Sequence, residues 1–499
     1  MKGFNLNAKV QFYLLWFFVS VVVCVKLFHI GYRSFSLDEL YGVCAALEPN
    51  FSDFLGKWVL YDSNPPLYYF LLRAWLQFFP ATEFWVRLPS VLLILLATYF
   101  FVNGVKKRLG NDTWVWLLLL CGSSYGLLFF AQEARAYALL LFFTVLQLLV
   151  FIDLLRCDAP RLRVGWLFRF GLLCVLSSYT HYTGIIFSAI LFTFLFYFHY
   201  GRPKIIGQLA LACLFIIISG LPWLPYFLVI LKIDKSFVIT QSHGIINEIL
   251  SMLFFGHHRI GKSVSVILLG ALPVLFLLNL KTIHTLPRAT KTLLALGLLS
   301  ACVIIASPYL PYFYYYRHYM VLLPVVLLSS AVVLALKKTP LWVKITALFL
   351  ALMVSAEQGL THYKSQREAW RQSVQYLVED NAGKDAVAIV IGEPWEKTHL
   401  DYLAQDPGYL NLAIRKKAFY QFYFNRFDPQ KNFKLVVLRP VKSVIEKFVA
   451  DQLDKRKNVY LLSNGGEFSD EIARLHPNPN VTIHKTGFFV HDVYHFGIR

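Results

Sequence analysis

The sequence predicts a polytopic α-helical membrane protein that ends in a small water-facing α/β domain, and three observations carry this. Apolar runs of close to twenty residues recur between residues 10 and 360, each long enough to cross about 30 Å of hydrocarbon. Of the 499 residues 57% are apolar and only 15% are charged, which excludes an ordinary soluble globular chain. After Thr361 charged and polar residues return abruptly, mixed with short apolar runs, and about 140 residues suffice to bury a core of their own.

Taken in order, residues 10–30 form the first span. The run is longer than the core of a signal peptide and has no clean cleavage site beside it, so it reads as uncleaved. Lys2 and Lys9 precede it and predict a cytoplasmic N-terminus. Residues 31–83 then make a long outer loop. Leu40, Val43, Cys44 and Leu47 recur at helical spacing, as do Phe51, Phe54, Leu55 and Trp58, so two short interfacial helices are expected there. Asn64-Pro65-Pro66 breaks the pattern, and the second proline suits the first turn of a helix running to Phe79. That helix is short and carries Arg73 in its middle. Were it to cross, Lys106, Lys107 and Arg108 would lie outside, so the charge rule makes it interfacial.

Further spans are expected at 84–105, 114–131, 137–155, 166–182, 184–200, 206–228, 263–280, 292–308, 319–336 and 342–360, about eleven in all with the first. Basic residues alternate with them, at Lys106–Arg108, at Arg156, Arg161 and Arg163, at Arg202 and Lys204, at Lys281, Arg288 and Lys291, and at Lys337 and Lys338. This distribution explains a formal charge of +19 as an orientation signal and points away from nucleic acid. It also places everything after residue 361 outside the cytoplasm, in a plasma (inner) membrane protein. In that last segment 386–391, 435–438, 459–462 and 481–484 read as strands, and 368–380, 396–404 and 441–455 as helices. The domains are therefore 1–360 and 361–499. Seven scattered cysteines show no metal-ligand spacing, and most lie within apolar runs, as small hydrophobes do.

With this topology, unusual polar residues collect on the outer surface. Asp38 and Glu39 open the first loop, Asn64 precedes the prolines, and Arg87 starts the second span. Glu133 and Arg135 occupy the turn Gln132-Glu133-Ala134-Arg135-Ala136-Tyr137, His181 another turn, and Arg317 a third beside His318 and Tyr319. Each has a structural explanation. Ser36-Leu37-Asp38-Glu39 has the form of a capping box, Arg87 and Arg317 suit helix ends that snorkel, and His181 suits a hydrogen-bonded interface position. Such explanations do not require the set to gather on the face opposite the basic loops, where charge at the hydrocarbon edge is costly.

One reaction that needs this set is glycosyl transfer from a lipid-linked sugar phosphate. The leaving phosphate is already a stable anion, so guanidinium groups that hold its charge replace a general acid. The acceptor hydroxyl must lose its proton during attack, which one carboxylate provides as general base. Direct attack inverts the anomeric centre.

Leu37-Asp38-Glu39 after the first span, Asn64-Pro65-Pro66-Leu67-Tyr68, Val86-Arg87-Leu88-Pro89-Ser90, Glu133-Ala134-Arg135-Ala136-Tyr137 and Arg317-His318-Tyr319, in that order, resemble the bacterial polyprenyl-phosphate-sugar glycosyltransferases of the GT-C class. These are related to protein O-mannosyltransferases and to the aminoarabinose transferases that act on lipid A. The resemblance covers roughly residues 10–330 and lies in the order of the motifs. It implies a GT-C-like membrane fold whose first outer loop holds the base, with Asp38 matching the catalytic aspartate and Glu39 its acidic neighbour. Arg87, Glu133 and Arg135 then fall in the donor-phosphate shell, and Arg317 and His181 at looser matches. The donor is expected to be a polyprenyl-phosphate sugar within membrane lipid, and the acceptor a glycan, a lipid or a protein.

Two other readings stand beside this one. A lipid or sugar transporter with an outer polar gate would place its ionisable residues and broken helices near the bilayer midplane, whereas here they cluster at span ends. A divalent metal is a possible cofactor, since His243, His257, His258 and His318 can all face outward, yet no His spacing or carboxylate pair marks a dedicated site.

Overall fold

The computed structural model describes residues 19–62, 64–109, 112–157, 159–232, 279–307, 316–336, 369–381, 384–391, 412–438, 442–455, 457–464, 481–488 and 491–498, with isolated positions at 249 and between 339 and 362. The chain forms two compact units. One comprises Met1–Ile30, Ser63–Tyr68 and Arg87–Lys364; the other comprises Gly31–Asp62, Tyr69–Val86 and Ser365–Arg499.

The first unit is a bundle of apolar helices, the form in which every backbone amide is satisfied within its own segment and none is left facing lipid. Glu83–Leu109, Tyr137–Leu155, Pro203–Leu228, Arg288–Ala306 and Arg317–Ala335 are each long and apolar enough to cross a membrane. Val164–Thr180 and Tyr182–Phe198 are apolar but shorter. The run expected as one span at 114–131 is instead two helices, Thr113–Ser123 and Tyr125–Ala131, bent by 57°. Ser124 causes the break: its hydroxyl caps the second helix by accepting from the Leu127 amide at 3.4 Å, an alternative to continuing the first helix. The spans expected at 263–280 and 342–360, and the start of the first, fall almost wholly outside the described residues, so the total of eleven is still an expectation from sequence.

The second unit is α/β. Strands β1 (Ala386–Ile391), β2 (Phe433–Leu438), β3 (Asn458–Asn464), β4 (Val481–Phe488) and β5 (His491–Ile498) form one sheet in the order β2-β1-β3-β5-β4. β1 runs parallel to β2 and β3, while β5 is antiparallel to β3 and β4. Val387, Ile389, Val459, Leu461 and Phe496 pack on Ile445, Val449 and Leu453 of the helix Lys442–Asp454. The alternate face carries Phe433 and Tyr460, whose rings lie 5.7 Å apart. Phe424 of the helix Leu412–Phe427 meets Phe433 there, and the Tyr460 hydroxyl donates to Asp380 of the helix Trp370–Asn381 at 2.7 Å. Helices therefore cover both faces, as a mixed sheet with buried strands requires.

Against expectation from sequence, β5 and the helix Leu412–Phe427 are additional elements, and the helix at 396–404 lies outside the described residues. Residues of the first loop belong to this same unit. Helix Leu37–Leu47 is followed by a helical turn at Phe51–Asp53, a wider π-turn at Phe54–Trp58 and a 3-10 turn at Val59–Tyr61. The helix expected from Pro66 is Leu67–Leu76, and its Arg73 donates to the carbonyls of Ala46 and Glu48. Arg73 thus satisfies the orphan C-terminal carbonyls of Leu37–Leu47.

Candidate active site

In the loop unit, Ser36 N-caps Leu37–Leu47. Its hydroxyl accepts from the Glu39 amide at 3.4 Å, and the Glu39 carboxylate accepts from the Ser36 amide at 2.9 Å. The capping box is complete. Glu39 is buried and Asp38 half-buried, and both stand in the first turn, where the helix dipole favours negative charge. Two adjacent acids thus have different surroundings: the carboxylate of Glu39 closes the helix start, while Asp38 stands one residue earlier on the same turn.

In the bundle unit, the turn at 132–136 is the organising feature. Gln132 donates to the carbonyls of Lys26 and Phe28 at 3.0 and 2.8 Å, so it holds the end of the first apolar helix, which runs over 19–27. His29 reverses the chain there in the left-handed region, at φ 54°. Arg87 donates to the Ile30 carbonyl at 2.9 Å. One helical turn beyond Arg87, Ser90 donates to the Glu133 carbonyl at 2.8 Å, placing that face of Glu83–Leu109 on the turn. The Arg135 amide closes the turn by donating to the Glu133 carbonyl at 2.9 Å.

Arg317 completes the set. Its guanidinium lies 3.0 Å from the Glu133 carboxylate, with the two side chains 8% and 2% exposed, and 5.6 Å above the Tyr137 ring. Tyr137 in turn packs on His181, and His181 on His318, at ring separations of 5.6 and 5.9 Å. His181 sits in the break between Val164–Thr180 and Tyr182–Phe198, where its Nδ1 accepts from the Thr183 amide at 3.2 Å. Only glycine fits at 184, since a Cβ there would come within 2.5 Å of the Ser177 carbonyl oxygen.

The bundle unit thus brings together Arg87, Glu133, Arg135, His181 and Arg317, all of them buried. Asn64 is buried in the same unit, just ahead of Pro65. Asp38 and Glu39 belong to the other unit. Sequence reasoning missed Gln132 as an anchor, and with it His362, which bridges the Gln132 amide and the Tyr125 hydroxyl at 3.2 and 3.3 Å. A lone histidine after the last apolar run gave no signal of this. It also missed Glu83, a buried carboxylate described below. Among the described residues no group of three or more His, Cys, Asp or Glu side chains is arranged to hold a metal ion; His243, His257 and His258 lie outside them.

Buried guanidiniums such as that of Arg317, oriented by the Glu133 carboxylate, can hold an oxyanion with directed hydrogen bonds. No family model matches the sequence, and no curated protein matches it. Among solved structures, ArnT from Cupriavidus metallidurans bound to undecaprenyl phosphate aligns with a TM-score of 0.57 at 12% identity, over 97% of this chain and 98% of that one. The same protein in the apo state aligns at 0.50 and 14% identity, over 98% of each. The chain is thus a multi-pass membrane protein with the fold of the GT-C glycosyltransferases.

Proposed function

We propose that this protein is an inverting membrane glycosyltransferase that moves a sugar from a polyprenyl-phosphate donor to an acceptor hydroxyl, with Asp38 as general base. In this reaction the bond from the anomeric carbon to the phosphate oxygen breaks, and its electron pair leaves with the polyprenyl phosphate. The acceptor oxygen bonds to the anomeric carbon from the opposite side, and its proton passes to the Asp38 carboxylate. Arg87, Arg135 and Arg317 hold the departing phosphate, and Glu133 fixes Arg317 in place. Asn64 and His181 offer hydrogen bonds to the sugar or its phosphate. Glu39 sets the helix turn that presents Asp38.

The observation that carries this reading is the buried cluster of guanidiniums gathered about the turn at 132–137 in a chain of this fold. Guanidiniums stay charged at any working pH, and burying them is costly unless their charge is used. ArnT, a solved relative in fold, binds undecaprenyl phosphate, a ligand of the kind such a cluster suits. Loop charges support an outer-face reaction in the plasma (inner) membrane, with the N-terminus cytoplasmic and the α/β domain extracytoplasmic. The acceptor class is a glycan, a lipid or a protein of the cell envelope.

The test is Asp38→Asn, which keeps shape and removes the base. Transfer should fall by about 10²- to 10⁴-fold while binding of polyprenyl phosphate is unchanged. Transfer at near-normal rate by this variant would remove Asp38 from the chemistry.

A further inference from the structure

We propose that the α/β domain is a positioning element for the catalytic base: it clamps the backbone at residues 31–36, and so fixes the helix start on which Asp38 stands. This rests on the assignment of Asp38 as base.

The clamp is built from four side chains. Tyr423, on the helix Leu412–Phe427, places its hydroxyl 3.2 Å from the Phe35 amide, 3.3 Å from the Ser34 hydroxyl and 3.2 Å from the Glu83 carboxylate. The hydroxyl donates its proton to Glu83 and accepts from the Phe35 amide, with the Ser34 hydroxyl within hydrogen-bond distance of the same oxygen. Arg371, on the helix Trp370–Asn381, donates its guanidinium to the carbonyls of Gly31 and Tyr32, and its amide donates to Ser34 at 3.2 Å. Polar backbone groups of an irregular segment are thereby satisfied by the domain's side chains.

Glu83 ties these groups together. It is 2% exposed and accepts from Arg371 at 3.2 Å and from Arg426 at 2.9 Å. One buried carboxylate thus holds two guanidiniums and the tyrosine. Apolar contacts continue the clamp, with Phe35 packed on the rings of Phe422 and Tyr423. The Cys44 thiol, on the capped helix itself, approaches the Ala418 carbonyl at 3.8 Å. Segment 31–36 runs directly into Leu37–Leu47, and Asp38 is the second residue of that helix. A displacement of about 1 Å in a reacting group is enough to cost on the order of 10² in rate, so the precision of this segment is a catalytic quantity.

The experiment uses the full-length protein. Tyr423→Phe removes the three hydroxyl contacts and keeps the ring packing. Tyr460→Phe, which loses the 2.7 Å bond to Asp380 elsewhere in the same domain, controls for general loosening. Steady-state transfer and hydrogen exchange of residues 31–36 are read for both. Tyr423→Phe is expected to lower kcat by about tenfold or more with the donor KM unchanged, and to speed amide exchange at Phe35. Tyr460→Phe should do neither. Unchanged kcat in Tyr423→Phe, or an equal fall in Tyr460→Phe, overturns the proposal. Should Asp38→Asn itself still transfer sugar, the assignment of the base fails instead, and faster exchange at Phe35 in Tyr423→Phe still identifies the clamp.

Discussion

Removing the Glu133–Arg317 pair in steps separates its part in the fold from its part in the chemistry. The two charges are 3.0 Å apart and at most 8% exposed, so either one alone is a buried ion without its partner. Glu133→Leu or Arg317→Met should each cost about 3–5 kcal/mol, the usual price of breaking a buried pair from one side. In a bundle of this size that lowers the unfolding temperature by on the order of 10 °C. The double variant replaces both charges by apolar groups of similar bulk, which is often neutral for stability, and it should recover most of the loss. Transfer should not recover, because Arg317 is assigned to the leaving phosphate. Thermal unfolding in mild detergent and a transfer assay on all four proteins give the full cycle. A double variant that is stable and transfers at near-normal rate would make the pair purely structural. Single variants as stable as the double would refute the geometry.

One further prediction concerns the two acids. Glu39→Gln keeps the capping box, since glutamine closes it as well as glutamate, so it should transfer nearly normally where Asp38→Asn fails; equal loss in both would put Glu39 in the chemistry.

The helical bundle was legible in the sequence because hydrocarbon leaves the chain few options, and Leu- and Phe-rich runs declare themselves. The break at Ser123-Ser124 was not, since averaging over a span-length window hides one hydroxyl that caps a new helix. In the α/β domain, β1 and the helix Lys442–Asp454 follow simple periodicity. The helix Leu412–Phe427 was missed because Phe and Tyr favour strands by local preference. Its buried residues Phe419, Tyr420, Tyr423 and Phe424 nevertheless recur at helical spacing. β5 was missed for a related reason, as His491, Asp492 and His495 interrupt its apolar residues.

At the site, Ser36 and Glu39 announced the capping box, and the structure forms it. Arg87, Glu133, Arg135 and Arg317 stood out as charges at span ends. What no local pattern revealed was the partner choice: Arg317 with Glu133 across 184 residues, or Glu83 with Arg371 and Arg426. Glu83 stands in the first turn of Glu83–Leu109, where an acid is favoured without any distant partner, and long-range pairing is fixed only by the assembled fold.

The most direct test of the central claim is native mass spectrometry of the purified protein with equimolar undecaprenyl phosphate and phosphatidylglycerol, comparing the native chain with Arg87→Ala and Arg135→Ala. The native protein should retain undecaprenyl phosphate in preference to phosphatidylglycerol, and each variant should lose that preference. Equal retention of both lipids by all three proteins would contradict a site built to hold a polyprenyl phosphate.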